Sequence, residues 1–224
     1  MTAVLFDMDG VLVDVSRSYR EAARRTAERY LGIPIDPDII QAYKDRGGLN
    51  NDWDLVDRLL RDRGKPVGRE RLVSAFQDLY LGHDGDGLMR FETWLPDPGL
   101  LDTLRESRRI GIVTGRPRHD AELALARFSA VGLFDTIVTM DDLPAGEQKP
   151  HPTGIWKAMR RLGEREAVYL GDGVDDMEAA VRAGVRAVGV LPPGLDPKRG
   201  RRRLREAGAE MVLDSVNDVK EALV

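Results

Sequence analysis

Two aspartates separated by a single residue, Asp7 and Asp9, follow the short apolar run Ala3-Val4-Leu5-Phe6. A carboxylate fixed at the end of a buried strand can attack phosphorus, and a second one beside it can protonate a leaving alcohol and then activate water. Three further sets of residues bear on the same chemistry: Thr114-Gly115-Arg116, Lys149-Pro150 and Gly171-Asp172-Gly173-Val174-Asp175-Asp176. Asp7, Asp172 and Asp176 offer the hard oxygen ligands that Mg2+ takes. Lys149 and a metal together would let an anionic carboxylate approach an anionic phosphoryl group. The Thr114 hydroxyl and the Gly115 amide could bond phosphoryl oxygens. Every piece also has an ordinary structural use: Asp-x-Asp in a turn, Asp172 and Asp176 at a helix start, Lys149 in solvent. Their joint occurrence at successive strand ends favours the chemical use.

The elements that must position these residues are legible as short apolar runs. Residues 3–6, 110–113, 136–139, 167–170, 187–190 and 211–213 read as buried strands. Helical spacing falls between them at 122–128, 153–162, 176–183 and 198–207, and Pro98 predicts a helix running to Arg105. Strand-helix alternation predicts an α/β fold, a Rossmann-like parallel sheet with helices on both faces, whose ligands bind beyond the carboxyl ends of the strands. About a hundred residues separate the first two strands, far more than a crossover needs. Four helical patterns at 16–31, 37–43, 52–63 and 68–81 fill that interval, punctuated by glycines and Pro66. The expected organisation is an α/β core of residues 1–14 and 93–224 with an inserted all-helical cap of residues 15–92.

Composition narrows the alternatives. Cysteine is absent, which excludes disulfides and thiolate chemistry and leaves oxygen ligands or three scattered histidines for any metal. The 34 basic and 38 acidic side chains give a net charge of -4, with no global attraction to nucleic acid or anionic membrane. No run approaches the ~20 apolar residues of a membrane span, and charges come too early for a secretory leader. A cytoplasmic protein, monomeric or homodimeric, is expected.

Taken in order, Phe6-Asp7-Met8-Asp9-Gly10-Val11-Leu12-Val13-Asp14, Ile112-Val113-Thr114-Gly115, Lys149-Pro150 and Gly171-Asp172 through Asp176 resemble the four motifs of the haloacid dehalogenase superfamily. The position of the insertion resembles subfamily I, whose phosphatase-like hydrolases carry a helical C1 cap. The resemblance implies that Asp7 forms an aspartyl-phosphate, that Asp9 is the general acid/base, and that Thr114, Gly115 and Lys149 bind phosphate. It further implies Mg2+ held by Asp7, the backbone carbonyl of Asp9 and Asp172, with Asp176 in support. Position 175, often Asn in this branch, is Asp here. The presence of Asp9 argues against the metal-free dehalogenases, which lack that second aspartate.

Within the insertion, Lys44 to Asp52 is a polar, Gly-broken stretch, and Arg46 and Asn50 are its candidate substrate contacts. Arg116 is either a contact to a second anionic group or a surface arginine. His83-Asp84-Gly85-Asp86-Gly87 imitates the opening of a calcium loop but lacks its later acids and reads as a turn. Trp53, Trp94 and Trp156 read as core or rim packing. The basic run Lys198 to Arg203 reads as a solvated helix face rather than a nucleic-acid contact. The expected activity is Mg2+-dependent hydrolysis of a small phosphomonoester through an aspartyl-phosphate. Phosphoglycolate, a sugar phosphate, a nucleotide and an amino-alcohol phosphate all fit as substrate. A phosphomutase of the same superfamily and a non-enzymatic phospho-acceptor receiver domain are the alternatives, the latter with no use for a cap of ~80 residues.

Overall fold

The computed structural model describes residues 2–83 and 85–223. Chain contacts divide it into two compact units, Met1–Asp14 with Trp94–Val224, and Val15–Thr93. In the first, six strands form one parallel sheet: β1 (Ala3–Phe6), β4 (Ile110–Val113), β5 (Thr136–Val138), β6 (Ala167–Gly171), β7 (Arg186–Val190) and β8 (Met211–Leu213). Their order is β5-β4-β1-β6-β7-β8. β1 is central and buried at every residue, as a strand of four apolar side chains covered on both faces must be. Phe6 pairs with Ile112 on one side and with Leu170 on the other, so the carboxyl ends of β1, β4 and β6 come out level. That register puts Asp7, Thr114 and Asp172 on one edge of the sheet.

Alternate residues of β1 serve opposite faces. Leu5 joins Val113, Ile155, Ala158, Met177, Ala180 and Leu204 in one core cluster. It unites β1 and β4 with α7 (Thr153–Leu162), α8 (Val174–Ala183) and α9 (Pro197–Glu206). Phe6 meets Phe134 edge-on at 6.3 Å between ring centres. Burying a side chain of this size contributes about 1.5–3 kcal/mol.

The insert contains α1 (Tyr19–Leu31), α2 (Pro37–Lys44), α3 (Asp52–Asp62) and α4 (Arg69–Leu81). Asp36 and Asn51 cap α2 and α3 by accepting from the amides of Asp38 and Trp53. Tyr19 of α1 lies 5.4 Å from Phe76 and 4.3 Å from Tyr80 of α4, which closes the core of the bundle. The buried Glu92 carboxylate accepts from Ser18 Oγ at 3.0 Å and Tyr80 Oη at 3.2 Å, which meets its need for partners. No helix of the described residues is long and apolar enough to cross a membrane.

Several expectations move. The helix predicted from Pro98 is α5 (Leu100–Arg105), because Gly99 takes a left-handed φ of 80° and starts it later. α6 (Arg118–Arg127) begins four residues before the predicted 122, directly after Pro117. The two-residue strands β2 (Val13–Asp14) and β3 (Thr93–Trp94) pair with each other and are too short for an alternating pattern to announce them. Of core or rim, Trp156 takes the rim: it is 49% exposed, its indole N–H donates to the Ala183 carbonyl at 3.2 Å and its ring meets His151 edge-on at 6.4 Å. His83 and Asp86 do form a turn, the Asp86 carboxylate accepting from the His83 amide, whereas Asp84 lies outside the described residues.

β5 is an edge strand, and a charged network covers its end. The Asp142 carboxylate accepts from the Thr139 amide at 2.9 Å, from Arg161 at 2.9 Å and from Arg118. Burial alone would raise this carboxyl, but the Thr139 amide and the Arg161 and Arg118 guanidiniums outweigh it and hold it at about 2 against an ordinary 3.8. A carboxyl depressed on folding stabilises above its unfolded value and loses that stability as pH falls through the folded one. Asp142→Asn should therefore cost about 1 kcal/mol at neutral pH, solvent screening of the half-exposed arginines included, and flatten the loss of stability between pH 4 and 2. Urea unfolding across that range measures both, and parallel curves for the two proteins would refute the assignment.

Candidate active site

Asp7 leaves β1 with its amide donating to the Leu170 carbonyl at 2.8 Å, so its backbone is fixed by the neighbouring strand. Asp172 and Asp176 arrive from the β6 end and the first turn of α8, and one carboxylate oxygen of each lies within 4.8 Å of one from Asp7. All three are buried. Two glycines make the approach possible. A Cβ on Gly10, whose φ is +74°, would stand 2.4 Å from Asp172 Oδ2, and one on Gly171 would stand 2.3 Å from the Asp176 Cβ. Asp176 also performs the helix-start role that its position suggests: Oδ2 accepts from the Gly173 amide at 2.9 Å while Oδ1 takes Lys149 at 2.6 Å.

Lys149 Nζ lies 2.8 Å from Asp7 Oδ1 and 3.1 Å from the Tyr169 hydroxyl. Burial works against its charge, yet Asp176 and Asp7 hold the ammonium well above the ordinary lysine range. The opposite imbalance applies to Asp7. Burial, reinforced by Asp176, Asp9 and Asp172 and opposed only in part by Lys149, holds its carboxyl well above the ordinary value. Asp7 Oδ1 touches Lys149 but accepts no aligned hydrogen bond. A buried, all-oxygen donor set with excess negative charge and an under-satisfied carboxylate oxygen fits a hard divalent cation.

Thr114 is buried at the end of β4, its amide donating to the Val138 carbonyl. Its Oγ accepts from the Arg116 amide at 3.2 Å, which leaves the hydroxyl proton to donate elsewhere. Gly115 follows it on the same turn, half-buried. Arg116 is no surface residue: its side chain is 0% exposed and its Nε donates to Asp9 Oδ1 at 2.6 Å. Asp175 is buried in the first turn of α8. Arg46 and Asn50 lie in the other unit. Arg46 is exposed and stacked on Tyr43 at 4.3 Å, whereas Asn50 Nδ2 is buried without a hydrogen-bond partner beside the Lys44–Asp52 ion pair.

Two residues here are invisible to motif reasoning. Tyr169, read only as a strand residue, places its buried hydroxyl 3.1 Å from both Asp176 Oδ1 and the Val113 carbonyl. A tyrosine inside a fully buried strand was the available signal, because its hydroxyl must find a partner. Arg203, counted in the basic run, donates to the Asp172 carbonyl at 2.6 Å and steadies the loop that carries that aspartate. The run as a whole is divided: Lys198 and Arg202 are exposed, Gly200 is buried, and Arg201 donates to the Val212 carbonyl at 2.7 Å.

A level row of strand-end carboxylates, a buried lysine and a hydroxyl-bearing turn define an acid-rich site on a Rossmann-like sheet. Residues 1–184 match the family model for haloacid dehalogenase-like hydrolases, and the chain belongs to that family. It is 38% identical over 200 residues to an imidazoleglycerol-phosphate dehydratase of Phytophthora nicotianae, a match covering 85% of this chain and 43% of that longer protein. It is 30% identical over 193 residues to the validoxylamine A 7'-phosphate phosphatase of Streptomyces hygroscopicus subsp. limoneus, covering 83% and 84% of the two. Among solved structures, a hydrolase from Pseudomonas syringae superposes with a TM-score of 0.75 at 26% identity, covering 100% of this chain and 98% of that one.

Proposed function

We propose that the protein hydrolyses a small phosphomonoester in two in-line displacements at phosphorus. In the first, an Asp7 carboxylate oxygen bonds to phosphorus, the bond to the ester oxygen breaks, and the Asp9 proton passes to the departing alkoxide. In the second, water bonds to phosphorus, its proton returns to Asp9, and the bond to Asp7 breaks to release phosphate. Lys149 and the Thr114 hydroxyl, with the Gly115 amide, bind the phosphoryl oxygens on which charge spreads. Asp7, Asp172, Asp176 and the Asp9 carbonyl would hold Mg2+, which when bound supplies the positive charge that lets carboxylate meet phosphate. Leaving-group recognition is assigned to the helical insert, with Arg46 and Asn50 as its contacts.

The observation that carries this reading is the buried Asp7-Asp172-Asp176 cluster with Lys149 in its midst. The names of the relatives guide the test, a phosphate-release screen over sugar, cyclitol, imidazole-bearing and short carboxylic phosphate esters with and without Mg2+. Mg2+ should raise release from at least one ester by about a hundredfold or more over excess chelator. Equal rates in the two conditions would sink the metal-assisted mechanism, and an isomerised ester in place of free phosphate would favour a mutase.

A further inference from the structure

Arg116 is the largest fully buried side chain of the described residues. A guanidinium cannot shed its proton, so a buried one must be paired. Its Nε is 2.6 Å from Asp9 Oδ1, across 107 residues of chain. The two ends of this pair are anchored differently. Arg116 is held at the backbone, its amide donating to Thr114 Oγ and its carbonyl accepting from the Met140 amide at 3.2 Å. Asp9 stands beyond the end of β1, on the turn that Met8 closes by accepting from the Leu12 and Val13 amides. Its side chain is 25% exposed. Unclamped, an aspartate on such a turn samples several staggered rotamers.

We propose that Arg116 is a positioning residue that fixes the rotamer of Asp9, engaging Oδ1 so that Oδ2 is the oxygen that exchanges the proton. This rests on the acid/base role given to Asp9 above. The gain is one of geometry: a proton donor and acceptor held in place serves both displacements without searching for its orientation. Arg116 contacts neither the phosphoryl group nor the leaving group in this assignment.

The role can be separated from a merely structural one by leaving-group chemistry. A nitrophenolate departs without a proton, whereas a simple alkoxide needs one. Arg116→Gln in the full chain should lower kcat on an alkyl phosphate by about a hundredfold, with KM little changed. On p-nitrophenyl phosphate it should give a burst of about one nitrophenolate per protein followed by slow turnover, because only the water step then waits on Asp9. Asp9→Asn should show the same signature, and adding Arg116→Gln to it should cost nothing further. Arg116→Lys keeps the buried charge without the planar fork and should fall between the two, which decides the matter where the Gln variant melts early. Equal losses on both esters without a burst, a loss carried in KM, or additive effects in the double variant would overturn the inference. Absence of phosphate release from either ester by the unsubstituted protein would remove the hydrolase reading itself, and this inference with it.

Discussion

Asp7→Asn should release phosphate at least about a thousandfold more slowly than the unsubstituted protein while melting no lower. The amide matches the carboxylate in shape and lacks a nucleophilic oxygen. Its effect on stability follows from the charges around it. Burial and the like charges of Asp176, Asp9 and Asp172 hold the Asp7 carboxyl above its ordinary range, so its negative charge is unfavourable there in the absence of a cation. Lys149 loses one partner in the variant but keeps Asp176 at 2.6 Å. Steady-state phosphate release paired with calorimetry checks both halves. Activity within tenfold of the original would reject Asp7 as the nucleophile, and a melting point several degrees lower would show that Lys149 needs both carboxylates.

The opposite pattern is expected for Lys149→Met, which removes the charge and keeps the side-chain length. Asp7 and Asp176 would then face each other in the interior with no ammonium between them. Breaking a buried ion pair from one side costs about 3–5 kcal/mol. For a protein of this size that corresponds to a melting point lower by roughly 10 °C. A divalent cation that binds only the folded protein should restore part of the loss by mass action, and more of it in the variant than in the parent. Thermal unfolding with and without Mg2+ gives all four values. An unchanged melting point would mean that the triad contributes nothing net, as some buried ion pairs do.

Both predictions concern residues that stand out in the linear chain, and the reason is physical. A strand that is buried on both faces must be short, apolar and bounded by polar residues, so the ends of β1, β4 and β6 announce themselves, and Asp7, Thr114 and Asp172 with them. Strand-helix alternation then implies a parallel sheet, and its interruption implies the insert; both are present. Lys149 was legible for a different reason, its place just before a helix in a motif of known order.

What the chain could not disclose is which side chains meet once the strands are ordered. Periodicity registers neighbours two, three or four residues apart within one element. The pairing of Arg116 with Asp9 depends on β4 lying beside β1, and that of Tyr169 with Lys149 and Asp176 on the depth at which β6 is buried. Arg203 looked like one more charge on a solvated helix until the packing of α9 turned it toward the Asp172 carbonyl. The sequence by itself therefore determined the class of chemistry, because residue type and position at a strand end suffice for that. Only the tertiary structure decided which groups meet the carboxylates at the strand ends, because a buried charge finds its partner through strand order and register, which no local pattern encodes.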